Sequence, residues 1–216
     1  MSPIVHSLLL LAGAYLLGSL SGSLLLGRRR GVDIREQGSG NAGGTNALRT
    51  QGLKFAAVVV VFDVGKGALA AWLGLRYAPL AAGWPGATVH GYAAAFAAVL
   101  GHVWPLWHGF RGGKGAATMV GGMLVLWPWV TPLLLAVWGG TILASGYVGI
   151  ATVLAGVSLA LAAIGSGAAT PRLAFACAAA LLLLFTHRDN LARLLRGEES
   201  RFQRARLLHR LRRPRG

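Results

Sequence analysis

The chain has 216 residues, of which 55% are hydrophobic and 12% charged, and its formal net charge is +15. Soluble domains carry roughly 25% charged residues, so this composition excludes an ordinary water-soluble globule. Apolar runs of about 20 residues recur along the chain and indicate a polytopic membrane protein.

All but three of the 21 Lys and Arg (Lys66, Arg76 and Arg172) fall in three regions: Arg28 to Lys54, Arg111 with Lys114, and Arg188 to Arg215. This clustering follows the positive-inside rule and assigns the three regions to the cytoplasm. No nucleic-acid recognition motif accompanies the basic charge, so no nucleic-acid partner is expected.

The first predicted span runs from Pro3 to Gly27, long enough at about 1.5 Å per residue to cross the hydrocarbon layer. Arg28, Arg29 and Arg30 follow this run rather than precede it, so it reads as a retained span and not a cleavable signal. Gly18, Ser19, Ser21, Gly22 and Ser23 cluster in its second half, where small residues permit close helix packing. The stretch from Gly38 to Arg49 follows, with the sequence Gly-Ser-Gly-Asn-Ala-Gly-Gly-Thr-Asn-Ala-Leu-Arg. Its glycines permit close backbone approach to a ligand. Ser39, Asn41, Thr45 and Asn46 offer neutral donors, and Arg49 offers a planar fork suited to phosphate.

Leu53 to Leu75 forms the second span and contains Asp63 and Lys66. Their spacing of three puts both on one helical face, where they can neutralise each other. Arg76 to Val89, with Pro79 and Pro85, reads as an external loop. A third span from about His90 to Trp107 leads into Gly109-Phe-Arg-Gly-Gly-Lys-Gly-Ala-Ala-Thr118, with Pro105 ending or kinking the helix. The lysine is followed by Gly115 where a P-loop needs Ser or Thr, so a P-loop is excluded. What remains is a glycine-rich turn, with Gly109, Gly112, Gly113 and Gly115 around Arg111 and Lys114, that opens a helix and makes an anion nest with a lysine point charge beside it.

Parity fixes the remaining topology. If the second and third basic regions share the cytoplasm, an even number of spans joins them. Thr170 to Thr186 supplies one, so Ala116 to Ile164 must supply three, with turns at Pro128–Pro132 and Ser145–Gly146. The expectation is all-α, with seven transmembrane helices, cytoplasmic glycine-rich loops and the N-terminus outside. Residues 1–199 form one transmembrane domain, and residues 200–216 form a basic cytoplasmic tail suited to anionic lipid. The third polar cluster, Thr186 to Glu199, presents His187 and Asn190 three apart on a helix. The lone cysteine, Cys177, reads as a packing residue in an apolar run.

The clusters share donors and cations, with no metal-ligand spacing and no nucleophile elbow. Such a surface suits a phosphorylated, amphiphilic substrate and transfer chemistry helped by positioning and charge neutralisation. A transporter for a phosphorylated solute is the alternative, but it should carry polar groups across the spans beyond Asp63 and Lys66.

Three motifs in order carry a resemblance. Ser39 to Arg49, Gly101 to Pro105 continuing through Phe110 to Thr118, and His187 to Asn190 continuing through Gly197-Glu198 resemble the motifs of the bacterial acyl-phosphate:glycerol-3-phosphate acyltransferases. The resemblance implies an inner-membrane enzyme moving an acyl group from acyl phosphate to the 1-hydroxyl of sn-glycerol 3-phosphate, yielding lysophosphatidate and phosphate. It implies no cofactor or metal, with both substrates and membrane lipid as partners. Carried over by position, Lys114, His187 and Asn190 are catalytic. Ser39, Asn41, Thr45, Asn46, Arg49, Gly112 and Gly113 bind substrate, and Ser145 joins them from its turn. His187 is read as a phosphate ligand or the general base, and His102 as a helix-end packing residue or a catalytic one. The tail after Ser200 lies beyond the resemblance.

Overall fold

A computed structural model describes residues 1–202, and the regular structure among these residues is entirely helical. The helices sort into two compact units, Met1–Pro128 and Trp129–Gly216, within the stretch that the sequence reads as one domain. Most of the expected basic tail, residues 203–216, lies outside the described residues.

In the first unit, α1 (Pro3–Gly18) and α2 (Gly22–Arg29) replace the expected continuous first span, with a bend of 46° between them. The break has a local cause. Ser19 turns its hydroxyl back to the Tyr15 carbonyl at 2.9 Å, and Ser23 donates to the Ala42 carbonyl at 2.8 Å. Hydroxyls that bond backbone groups in this way compete with the helical ladder. The carbonyl of Leu20, inside the break, accepts from Lys66 Nζ at 2.8 Å. Small side chains therefore do more here than permit packing, because they open the helix to a buried cation.

A short helix α3 (Gly44–Gln51) precedes α4 (Leu53–Arg76), the long central helix against which α5 (Ala87–Val103) and α6 (Ala116–Leu126) pack. The contact of α4 with α6 is backbone to backbone. A Cβ added at Gly67 would stand 1.9 Å from the Thr118 carbonyl oxygen, and one at Gly121 would stand 1.9 Å from that of Val64. In an apolar medium such close approach through small residues is a main source of helix association.

In the second unit, α7 (Thr131–Ser145), α8 (Val148–Gly165) and α9 (Thr170–Thr186) pack in sequence, and α10 (Arg188–Leu195) contacts α8 and α9. Gly146 takes a left-handed conformation at the α7–α8 turn, as a tight helix end requires. The chain returns to this turn, where the Phe202 amide donates to the Gly146 carbonyl at 2.7 Å. Arg201 Nε donates to the Tyr147 hydroxyl at 2.5 Å.

Among the described residues, three helices are long and apolar enough to cross a membrane, and up to five spans result if each of two bent pairs counts as one. The α5 and α6 segments, of 17 and 11 residues, are shorter.

The glycine contact generates a stability prediction. Gly121→Leu should cost about 1–3 kcal/mol by overpacking. That is a fall of several degrees in melting temperature for a chain of this size. Gly139→Leu, where nothing lies within 4 Å, should leave it unchanged. Thermal melts in detergent compare the two.

Candidate active site

The first polar loop is organised by Asn46. Its side chain is almost fully buried and engaged at both ends. The oxygen accepts from the Ser39 amide at 3.0 Å, while Nδ2 donates to the carbonyls of Ile34 at 3.0 Å and Gln37 at 2.9 Å. The sequence offered Asn46 as a substrate donor, but in the structure its donors hold the loop. Ser39 is exposed, Asn41 and Thr45 are half-buried, and Arg49 projects from the last turn of α3.

The second loop folds back on the end of α5. Gly112 N–H donates to the Val103 carbonyl and Gly113 N–H to that of His102, both at 3.1 Å. These bonds satisfy carbonyls that the helix end leaves without an intrahelical partner. The expected open nest at Gly112–Gly113 is therefore a closed turn, with both amides directed at α5. Its tightness is specific. A Cβ on Gly113 would meet His102 Nε2 at 2.2 Å, so the imidazole lies directly against the loop. Lys114 is half-buried, and Gly115, at φ 90°, opens α6.

The His102 ring belongs to a buried network. Lys66 Nζ stands 2.9 Å from Asp63 Oδ1 and 2.9 Å from His102 Nδ1. An ammonium only donates, so Nδ1 accepts and the ring proton resides on Nε2. Asp63 Oδ1 also accepts from the Gly22 amide, at 3.4 Å, where α2 begins. The expected Asp63–Lys66 pair is present, and it extends to His102 and the helix break. No spacing in the sequence signalled the third member, 36 residues from Lys66.

Arg35 joins the first loop to the second. It grips Asp33 through Nε at 3.0 Å and Nη2 at 2.6 Å, while Nη1 donates to the carbonyls of His108 at 2.8 Å and Arg111 at 3.2 Å. Hydrogen bonding to Arg35 holds the Asp33 carboxyl below its ordinary range. The staple is thus complete at neutral pH and is lost only as pH falls through that lowered pKa.

In the second unit, His187 sits buried at the junction of α9 and α10. Its Nδ1 lies 2.9 Å from the Leu183 carbonyl and donates to it, which leaves the lone pair of a neutral ring on Nε2. Asn190 Nδ2 donates to Glu199 Oε1 at 2.6 Å, and Arg193 Nε donates to Glu199 Oε2 at 2.7 Å. Glu199 was missed as an organiser, although it is one of only six acidic residues in the chain. Ser145 donates to the Thr141 carbonyl at 2.7 Å and accepts from the Tyr147 amide at 3.2 Å, so its hydroxyl is engaged in the α7–α8 turn. Among the described residues no group of three or more His, Cys, Asp or Glu is placed to hold a metal ion.

Apolar helices with polar, glycine-rich loops at their ends define the class as an integral membrane protein. Comparison with known proteins makes this specific. The glycerol-3-phosphate acyltransferase family model matches residues 8–197. A glycerol-3-phosphate acyltransferase of Anaeromyxobacter dehalogenans is 41% identical over 206 residues, covering 93% of this chain and all of that protein. One from Synechococcus is 40% identical over 200 residues, covering 92% of this chain and 96% of the relative. The crystal structure of PlsY, an integral membrane glycerol 3-phosphate acyltransferase in its glycerol 3-phosphate form, superposes with a TM-score of 0.84 at 33% identity. It covers 96% of this chain and 99% of its own. The lysophosphatidic acid form of PlsY gives 0.81 at 34% identity, covering 90% and 94%. The chain belongs to the glycerol-3-phosphate acyltransferase family.

The role of Asn46 is directly testable. Asn46→Asp keeps the shape but turns an oxygen toward the carbonyls of Ile34 and Gln37, and should destabilise by about 1–3 kcal/mol. Amide exchange by mass spectrometry should show faster exchange confined to residues 34–46.

Proposed function

We propose that the protein transfers a fatty acyl group from acyl phosphate to the 1-hydroxyl of sn-glycerol 3-phosphate, releasing lysophosphatidate and phosphate. The observation that carries this reading is family membership across residues 8–197, a range that takes in the first two polar clusters and the third up to Gly197. The substrate oxygen attacks the acyl carbon, the carbon–oxygen bond to phosphate breaks, and phosphate leaves with the electron pair. Each substrate brings a phosphate group, and the cations of the loops match that need.

Arg49 supplies a bidentate fork and Lys114 a point charge for phosphate oxygens. Ser39, Asn41 and Thr45 supply neutral donors, while Asn46, Gly112, Gly113 and Ser145 hold the loop and turn shapes already described. His187 and Asn190 are carried over as catalytic residues by motif position, and within their own unit Glu199 orients Asn190. Because Nδ1–H is committed to the Leu183 carbonyl, His187 binds phosphate through Nε2 only as imidazolium. The hydroxyl proton then passes to a substrate phosphate oxygen, which suits a donor whose leaving group is already good.

In the cell, the reading places the protein in the bacterial inner membrane. It crosses seven times, its N-terminus lies outside, and its polar loops face the cytoplasm, where the Lys and Arg concentrate. Residues 1–199 serve as one catalytic domain.

Two experiments test this reading. Purified protein given synthetic acyl phosphate and glycerol 3-phosphate should form lysophosphatidate and phosphate, and acyl-CoA should not replace the donor. Comparable turnover with acyl-CoA, free of contaminating enzymes, would contradict the donor assignment. The second experiment varies residues. Arg49→Lys should lower kcat/KM about ten- to a hundredfold, the worth of a lost charge-assisted hydrogen bond. His187→Gln should keep turnover with a raised KM for glycerol 3-phosphate. A kcat that instead falls by about 10² in His187→Gln would make His187 the base.

A further inference from the structure

A crevice of about 480 Å³ opens beside the end of α2, and its lining includes Leu24, Arg28, Arg35, Trp107, His108 and Arg111. None of these residues is assigned to the transfer reaction. Its charges are unevenly matched. Three arginines and one carboxylate, Asp33, line it. Arg35 is saturated by Asp33 and by the carbonyls of His108 and Arg111. Among the described residues, the guanidinium groups of Arg28 and Arg111 have no hydrogen-bond partner, and the Asp33 carboxylate that Arg35 grips is also the one Arg111 acts on. Three guanidinium groups against one carboxylate leave the crevice with net positive charge, which favours an anion.

A second observation is independent of that charge count. Nε2 of His108, on the crevice wall, is buried without a hydrogen-bond partner among the described residues. Burial, and then the charges of Arg35 and Arg28, push this imidazole below its ordinary pKa. Buried polar atoms in folded proteins are normally satisfied, so an orphan beside an open cavity marks a place for a ligand or its water.

The depth of the crevice limits what the ligand is. Leu24 lies one helical turn before Arg28, so the wall passes from apolar to cationic at the end of a membrane helix. Trp107 and Phe110 are exposed by 56% and 54% at the neighbouring turn. Phe110 holds φ at 57°, a conformation uncommon for a bulky residue. Exposed aromatics beside cations are the composition of the membrane–water boundary, where lipid headgroups lie.

We propose that this crevice is a binding site for a phosphomonoester lipid, its phosphate between Arg28 and Arg111 and its chain leaving past Trp107 and Phe110. A phosphomonoester carries about −1.5 to −2 at neutral pH, which matches two guanidiniums better than the single charge of a phosphodiester. The proposal rests on the crevice and not on the catalytic reading. If that reading holds, the product belongs to the class that the crevice retains.

The test uses the full chain in detergent with a photoreactive short-chain phosphatidate, followed by peptide mapping of the label. Label should fall within residues 24–35 and 106–111 and be displaced by unlabelled phosphatidate. Phosphatidylglycerol should displace it roughly tenfold less well, as expected when one of two charge contacts is unmatched. Arg28→Gln/Arg111→Gln should abolish this labelling while the KM for glycerol 3-phosphate stays at the wild-type value. Trp107→Ala, an exposed position that leaves the charges in place, should weaken phosphatidate labelling but not the displacement by inorganic phosphate. Label mapping to other segments would overturn the site. Equal displacement by phosphatidylglycerol would overturn the monoester, and equal displacement by millimolar inorganic phosphate or glycerol 3-phosphate would overturn the lipid.

Discussion

The structure of the first unit depends on neutralising one ammonium group within an apolar bundle. Lys66 stands on α4 with 2% of its side chain accessible. An isolated charge at that depth is costly, and it persists only with partners on several sides. It obtains three: Asp63 on its own helix, the Leu20 carbonyl, and His102 Nδ1. Each partner has a structural consequence. The Leu20 carbonyl is available because the first span is broken. Asp63 also takes the Gly22 amide that begins α2. His102 lies where α5 ends and the lysine loop starts, with its ring against Gly113. A charge that looks like a liability in the sequence therefore fixes the break and the turn together.

The same economy governs the other acids. Asp33 holds Arg35, Asp63 holds Lys66, Asp189 stands beside Arg188, Glu198 holds Arg196 and Glu199 holds Arg193. With six acids against 21 Lys and Arg, nearly every carboxylate is used to brace a loop or helix end. A fold with balanced charges would cancel its positive field by internal pairing.

The sequence made helices, polar loops and the Asp63–Lys66 pair legible because each is a local signal: apolar run length, glycine density, or spacing of three on one helix. Partners far apart in sequence were not legible. His102 read as a helix-end packing histidine or a catalytic one, since nothing near it in sequence implies Lys66. Ser19 to Ser23 read as packing residues inside one span, because hydroxyl back-bonding to a helix carbonyl leaves no periodic trace. Residue types named donors correctly but not the direction of donation. Asn46, Gly112, Gly113 and Ser145 all carry donors that the structure turns to backbone or its own turn.

The dependence of the lysine loop on the buried network is tested most directly in the double variant Asp63→Asn/Lys66→Met. Removing one charge strands the other, whereas removing both is often tolerated by the fold. The double variant should therefore melt near the wild type, while its KM for glycerol 3-phosphate rises roughly tenfold, the effect of about 1.4 kcal/mol of lost positioning. A folded double variant with an unchanged KM would show that the network holds helices together but does not shape the loop.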